Sequence, residues 1–590
     1  MDEKKATLLV AVVVAAVVAA VCQADADSNI FSSFTSVKEI CQLTEYRDTC
    51  EITLSAVAGN STNPKDLITA SLGAATTHLR ATATKFSFLQ TTNIHPQTSD
   101  ALRNCRELLR LSINDLDRSL DKLNGYDLLD VSEVNEYISD VMTWLSGSIT
   151  FQDTCLDGVK NSAGDSSERM NRRLKISKEH TSNALSMVAH LAAAGKGRLF
   201  SGEVATSGFP ALVRGSQQRL SGASQRFTPN VVVALDGSGK YKTISEALKE
   251  VPATGKIPFV IYVKAGIYNE YVSITNQMPN VVLSGDGPTR TKITGNRSPQ
   301  NGYDTWTSCT VCVDGDRFVA MDIGFENSAG PSAGQAVALR LSADQAAVYN
   351  CQIDGYQDTL FAVAYRQFYR DCTITGDADF IFGNAAVVFQ NCNIVVRKPA
   401  GSFGNCIIAA QGRDKQFDST GTIFQNCTIT ATQEYKAAQS NFTSYLGRPW
   451  RPYARTIVMY SFIDNIIDPA GWQKWAGHCS EAGRKLRLLH YRGPGTRQAI
   501  GPHLNHLPEL HHNRHARIQG SPKSFHVWAE QSENTCFYAE YENRGPGSST
   551  DRRVEWPGIK QINEEVAQSF TPSKFIDGKA WIPGGIPYSP

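Results

Sequence analysis

Two carboxylates and two carboxamides recur at nearly one interval. Asp358 and Asp379 are 21 residues apart, and Gln335 and Gln357 are 22 apart. Around them a unit Asn/Asp-Cys-x-Ile repeats: Asn350-Cys351…Ile353, Asp371-Cys372…Ile374, Asn391-Cys392…Ile394 and Asn426-Cys427…Ile429. If that interval is one coil, equivalent positions stack about one strand spacing apart, ~4.8 Å, and the four side chains gather on one face. Two carboxylates that close do not both ionise cheaply, so one has a raised pKa. A charged carboxylate beside a protonated one is a nucleophile beside a general acid. Two amide NH₂ groups nearby can hold a developing oxyanion. The plainer alternative is a set of polar residues stacked in turns, and spacing alone does not separate the two.

The elements that must position these groups are short runs rich in Val, Ile and Phe, self-similar at 20 to 21 residues between the first three unit cysteines. Such a period indicates a solenoid in which each repeat is one coil. Short β-rich runs with turn residues favour a parallel β-helix over a helical array. Equivalent coil positions give Cys351, Cys372, Cys392 and Cys427 an inward stack. Cys309-x-x-Cys312 has no second pair and no nearby histidine to support metal or redox chemistry. Three-residue spacing puts the two on opposite faces of a strand, so a structural role is expected. The segment 231–248 reads as strand, Gly-rich turn and helix, the helix capping the open end of the solenoid. Its GSGKYKT lacks phosphate-loop spacing, which excludes nucleotide binding.

The stretches GIYNE (266–270), QAVALR (335–340), GYQDTL (355–360), DFIFG (379–383) and LGRPW (446–450) resemble those of plant pectin methylesterases, which demethylate galacturonan in the cell wall. The resemblance implies a right-handed parallel β-helix over 230–590 and a role for each residue. Asp379 is then the nucleophile and Asp358 the acid, then base. Gln357, with Gln335, serves the oxyanion. Arg448 holds Asp379 as the carboxylate through a charge-assisted hydrogen bond. Thr305 contacts substrate, and Trp450 offers a flat face to a sugar ring. Against these roles stand a structural ion pair for Arg448 and core packing for Trp450. The resemblance further implies a Cys372–Cys392 disulfide between adjacent coils, and no metal or organic cofactor. One departure lies at the nucleophile: Asp377-Ala378 precedes it where the family usually has an apolar or small pair. Alternation would place Asp377 on Asp379's own face, raising the pKa of the pair and shifting the pH optimum.

Residues 29–195 read differently. Apolar residues recur at helical spacing in 101–123 and 131–150, which predicts an antiparallel helical bundle. Asp115 and Asp117 alternate with Leu116 and Leu120, as on a half-buried helix. Cys41 with Cys50 can close a short hairpin, and Cys105 can pair with Cys155. TEYRDTC (44–50), TFQDTCLDG (150–158) and TSNALSMV (181–188) resemble the pectin methylesterase inhibitor module. That likeness implies a pro-region that restrains or chaperones the enzyme; a mere helical folding domain is the alternative. Residues 196–229 have linker composition. They contain Gln217-Gln218-Arg219-Leu220 instead of a dibasic processing site; the dibasic Arg172-Arg173 lies earlier, before the last predicted helix.

At 590 residues two or three domains are expected. A net charge of +1 implies no nucleic-acid partner; the expected partners are homogalacturonan and the inhibitor-like region, with the chain a monomer. Lys4 and Lys5 precede an apolar run to Cys22, so 1–26 reads as a secretory signal peptide, or as a signal anchor. Sequons at Asn60, Asn296 and Asn441 fit an extracellular, cell-wall protein; a fourth, Asn426, falls in a coil unit and is expected to be inaccessible.

Residues 476–528 interrupt the pattern. They hold eight of the twelve histidines and little periodicity. A zinc-binding insertion through His503, His506, His511, His512 and His515 would need an oriented second shell, and no apolar frame surrounds them. A surface loop or a retained intron is the preferred reading. Two rival functions stay open: a polysaccharide lyase, which needs a calcium carboxylate cluster and a basic proton abstractor, and a non-catalytic chain whose esterase is broken by this insertion.

Overall fold

The computed structural model describes residues 36–58, 61, 63–90, 96–125, 134–159, 166–194, 228–253, 255–402, 404–475 and 533–590. The signal segment, the linker as far as residue 227, Asn60 and the histidine-rich stretch lie outside them. Among the described residues no helix is long and apolar enough to cross a membrane.

The repeated Asx-Cys unit is a turn. Asp322, Asn350, Asp371, Asn391 and Asn426 all have left-handed backbone, with φ between 48° and 57°, which short polar side chains tolerate. They also bridge one coil to the next: Asn350 donates to Asp322 and Asn391 to Asp371, each at 2.5 Å. Three residues on, Ile353, Ile374, Ile394 and Ile429 stand opposite one another in parallel pairing. The sequence period is therefore the strand register. Parallel sheets of 11, 7 and 8 strands result, wrapped around a core of Ile, Leu, Val and stacked rings such as Tyr369, Phe389 and Phe424. The helix Ile244–Ala247, capped by Thr243, buries Ile244 and Ala247 against the first coil, closing that end as expected.

The cysteines correct two expectations. Cys372 and Cys392 are not bridged; with Cys351 and Cys427 they are buried free thiols. Their S–H groups donate to strand carbonyls instead, Cys372 to Val348 and Arg370, Cys392 to Tyr369 and Gln390. Cys309 and Cys312, by contrast, form a disulfide. The strand spans only Val311–Val313, so Cys309 lies in the irregular segment before it, where strand alternation does not apply.

Helices Pro64–Gln90, Pro96–Asn124, Val134–Val159 and Ser166–Ala194 form the bundle, with the short Val37–Cys41 and Arg47–Val57 beside them. The Cys41–Cys50 and Cys105–Cys155 disulfides are both present. Ser166–Ala194 begins earlier than expected, so Arg172-Arg173 lies within a helix, where the backbone a protease must extend is hydrogen-bonded. Asn296, Asn441 and also Asn426 are exposed; the left-handed turn, not the coil interior, holds Asn426.

The bundle packs on the seven-stranded sheet, and the two share one apolar cluster containing Leu109, Leu145 and Phe151 from the helices and Trp306, Val337, Phe361 and Phe382 from the coils. Polar contacts ring it. Tyr365 donates to Asp115 at 2.7 Å, Arg118 pairs with Asp316 at 3.0 Å, and Arg366 joins Asp140 at 2.8 Å to Asp344 at 2.7 Å. Asn384 donates to Thr150, Arg451 pairs with Asp157, and Lys415 reaches Glu45 and Tyr46. Asp115 is therefore fully buried, so the polar face read for this half-buried helix is itself covered at that position.

The solenoid closes across the odd stretch. Strand Phe537–Tyr541 pairs in parallel with Arg455–Met459, and Lys474 pairs with Glu533 at 2.9 Å, so the chain leaves and re-enters within an ion pair's reach. Deleting 476–528 is expected to preserve or raise soluble yield and cooperative unfolding, because a long excursion adds closure entropy. A deletion that unfolds less cooperatively than the intact chain, or an intact chain stabilised by zinc, would refute this.

Candidate active site

Asp358 and Asp379 each lie two residues before a strand, Leu360–Ala362 and Ile381–Gly383. Leu360 pairs with Ile381, so the two aspartates are equivalent positions of adjacent coils. Both adopt left-handed backbone, φ 61° and 48°, and the Asp358 N–H donates to the Ala378 carbonyl at 3.0 Å. Gly383 of the DFIFG stretch has φ 127°, and a Cβ there would lie 1.9 Å from the Ala362 carbonyl oxygen. Only glycine lets the two coils approach this closely.

Arg448 lies two coils beyond Asp379 in the strand pairing. In the seven-stranded sheet, Arg340, Phe361, Phe382, Ala410 and Arg448 form one row of partners. Their strand neighbours Leu339, Leu360, Ile381 and Ala409 face the core, so this row faces outward. From it the Arg448 guanidinium forks onto Asp379, Nε to Oδ1 at 2.9 Å and Nη2 to Oδ2 at 2.5 Å. Its other face lies 4.3 Å from the ring of Trp475. A planar fork on a carboxylate fixes direction as well as charge.

The second carboxylate is left without such a partner. Burial, with Asp379 beside it, pushes the Asp358 carboxyl well above the usual carboxylate range, against the opposing pull of Arg448. A neutral acid beside an arginine-compensated carboxylate can deliver one nucleophile and one proton. Asp377 is buried too, but the left-handed residue Asp379 interrupts strand alternation, and the Asp377 carboxylate turns to accept the Ala378 N–H at 2.7 Å.

Gln335 and Gln357 are half-buried on neighbouring coils, joined by the Ala336 N–H donating to the Gln357 carbonyl at 3.1 Å. The register here is 21 residues, Leu339 opposite Leu360, so Gln335 stands one residue out of step with Gln357, in the loop before its strand. Thr305 is half-buried in the turn Asp304–Ser308, whose Asp304 accepts from Asn104 of the bundle at 2.8 Å. Trp450 is half-buried, its ring edge-on to Phe382 at 6.2 Å. Phe382 stacks on Phe361 at 4.2 Å, and Phe361 meets Trp306 edge-on. A band of rings thus crosses the coils beside the carboxylates. Sequence reading missed Phe361, Phe382 and Trp475 in this band. Trp475 was signalled by GWQKW at 471–475, but the two phenylalanines read as ordinary strand residues. Among the described residues no group of His, Cys, Asp and Glu could hold a metal ion.

The pectinesterase family profile matches residues 230–500 and 515–579, breaking inside the histidine-rich stretch. The plant invertase/pectin methylesterase inhibitor profile matches residues 35–187. A probable pectinesterase/pectinesterase inhibitor of Arabidopsis thaliana is 39% identical over 578 residues, 95% of this chain and 91% of its own length. Pectinesterase 3 of Citrus sinensis is 35% identical, over 94% of this chain and 88% of its own. The solved pectin methylesterase from carrot is 40% identical, covering 62% of this chain and 99% of its own, with a TM-score of 0.52. These matches agree with a parallel β-helix preceded by a helical bundle, and the chain belongs to the pectinesterase family, with an inhibitor-like region ahead of its esterase.

Proposed function

We propose that Asp379 attacks the C6 carbonyl of a methyl-esterified galacturonosyl residue. The observation that carries this is the arginine fork on Asp379 beside a buried, unpaired Asp358. The C6 oxygen takes the charge of the tetrahedral intermediate and receives hydrogen bonds from the Gln357 and Gln335 amides. Asp358 gives its proton to the departing methoxy oxygen, releasing methanol and leaving an acyl-enzyme. As the carboxylate it then takes a proton from water, whose oxygen attacks the acyl carbon and frees Asp379. Trp450 and the ring band hold sugar rings, and the Thr305 turn contacts the polymer. The product is pectate. One chain carries every group the scheme uses, which fits a monomer, and the exposed sequons fit secretion to the plant cell wall.

The chain as folded is latent in this reading. Asp358 and Asp379 are 8% and 6% exposed, and the ring band beside them is continuous with the bundle core, so the helices occupy the surface a polymer would need in order to lie on that band. This supports restraint over a mere folding role for the helices.

Methanol release from methylated pectin tests the reaction, and it should persist in the presence of a chelator. Unsaturated uronides as product, or loss of activity on chelation, would instead support a lyase.

A further inference from the structure

We propose that Asp377 is a positioning residue for the two reacting carboxylates, acting through the peptide that joins them and through its own buried charge. The inference rests on the esterase reading of Asp358 and Asp379.

Asp377 is 4% exposed. Its Oδ1 accepts the N–H of Ala378 at 2.7 Å, while the carbonyl of Ala378 accepts the N–H of Asp358 at 3.0 Å. Ala378 is thus gripped on one side by Asp377 and on the other by Asp358, and the next residue is Asp379, at φ 48°. The backbone of Asp377 is itself tied to both flanking coils, its N–H donating to Tyr356 and its carbonyl accepting from Ile407. A left-handed turn held this way sets where both carboxylates point. Freed of the Ala378 bond, the turn can rotate and misaim them.

The charged and titratable groups facing Asp377 come from several coils. Asp358 is in the preceding coil, Asp379 is two residues on with Arg448 forked onto it, and Cys406 is in the following coil. Arg397 is the nearby cation on the remaining side, but its hydrogen bonds go to the Gly355 carbonyl and the Tyr356 hydroxyl. Burial pushes the Asp377 carboxyl up to about 6, with the Ala378 N–H and Arg397 pulling it down. Its negative charge is therefore present above about pH 6, where Asp358 must still hold a proton. Removing that charge favours the ionised form of Asp358, so the Asp358 pKa falls and the alkaline limb of kcat/KM moves to lower pH.

Asp377→Asn removes the charge and keeps an oxygen for the Ala378 N–H; Asp377→Ala removes both. Each is made in the full-length chain, alone and with Gly147→Leu, a substitution that meets Tyr365 across the seam between bundle and coils and is expected to loosen the bundle. Asp377→Asn is expected to move the alkaline limb down by about half a pH unit or more with kcat at the optimum nearly kept. Asp377→Ala is expected to add a roughly tenfold loss of kcat at little change in KM. An unmoved limb in Asp377→Asn, or full kcat in Asp377→Ala, overturns the proposal. Infrared titration of the buried carboxyl, read as the difference from Asp358→Asn, gives the Asp358 midpoint without turnover. An unshifted midpoint in Asp377→Asn overturns it equally, whereas a shifted midpoint without methanol release in any background refutes the esterase reading alone.

Discussion

A full-length chain carrying Gly147→Leu is expected to release methanol from methylated pectin about tenfold faster, or more, than the unsubstituted chain. Gly147 lies inside the Val134–Val159 helix. A Cβ placed there would meet Tyr365 Cε1 at 2.3 Å and Asp115 Oδ2 at 2.9 Å. Neither neighbour can give way easily. Tyr365 is 5% exposed, its hydroxyl is held by Asp115, and its ring meets Phe151 edge-on. Overpacking such a site costs about 1–3 kcal/mol, and about 1.4 kcal/mol is tenfold in a docking equilibrium. Leucine is also a better helix former than glycine by about 0.8 kcal/mol, so the helix itself does not suffer. None of the residues assigned to the reaction is touched. Methanol release by the full-length proteins, compared at equal concentration, checks the result. An unchanged rate in a folded variant would show that latency does not depend on this seam.

In that released background, Asp379→Asn is expected to lower kcat by at least about 10³-fold, with KM little changed. The amide keeps the shape of the carboxylate but cannot attack a carbonyl, and it meets Arg448 with one acceptor in place of two. Weakening a buried ion pair from one side also costs up to about 3–5 kcal/mol, so thermal unfolding is measured alongside, and a fall in kcat counts only for protein that remains folded. Asp358→Asn is expected to cripple turnover as well, through loss of the transferable proton. Near-normal kcat in either variant would show the assigned roles to be wrong.

The solenoid was legible because its turns demand a residue type. One left-handed turn recurs at the same place in successive coils, Asn and Asp tolerate it, and the period could therefore be read from Asn350, Asp371 and Asn391. The carboxylates 358 and 379 fell into that period and into adjacent coils. The amides fitted it less well, since Gln335 sits in a loop whose shape strand spacing does not fix. What stayed hidden was long-range. Nothing in helical periodicity says that Asp115 meets Tyr365 across 250 residues, because a buried polar position looks like a solvent-facing one until its partner is placed. The cysteines failed for a similar reason. Whether a thiol bonds to sulfur or to a carbonyl depends on the neighbouring coil ends at Cys372 and Cys392, and on an irregular segment at Cys309 that a strand rule cannot describe.

The Lys474–Glu533 ion pair makes the odd stretch a socket. Its two sides lie one ion pair apart, and any folded unit whose own termini lie equally close can be plugged in without spreading the solenoid. The socket opens next to Trp475, whose ring stacks on the arginine that grips Asp379. A carbohydrate-binding module or a fluorescent reporter seated there would therefore ride beside the paired carboxylates, giving engineers a handle on polymer capture that leaves the inhibitor-like helices and the linker untouched.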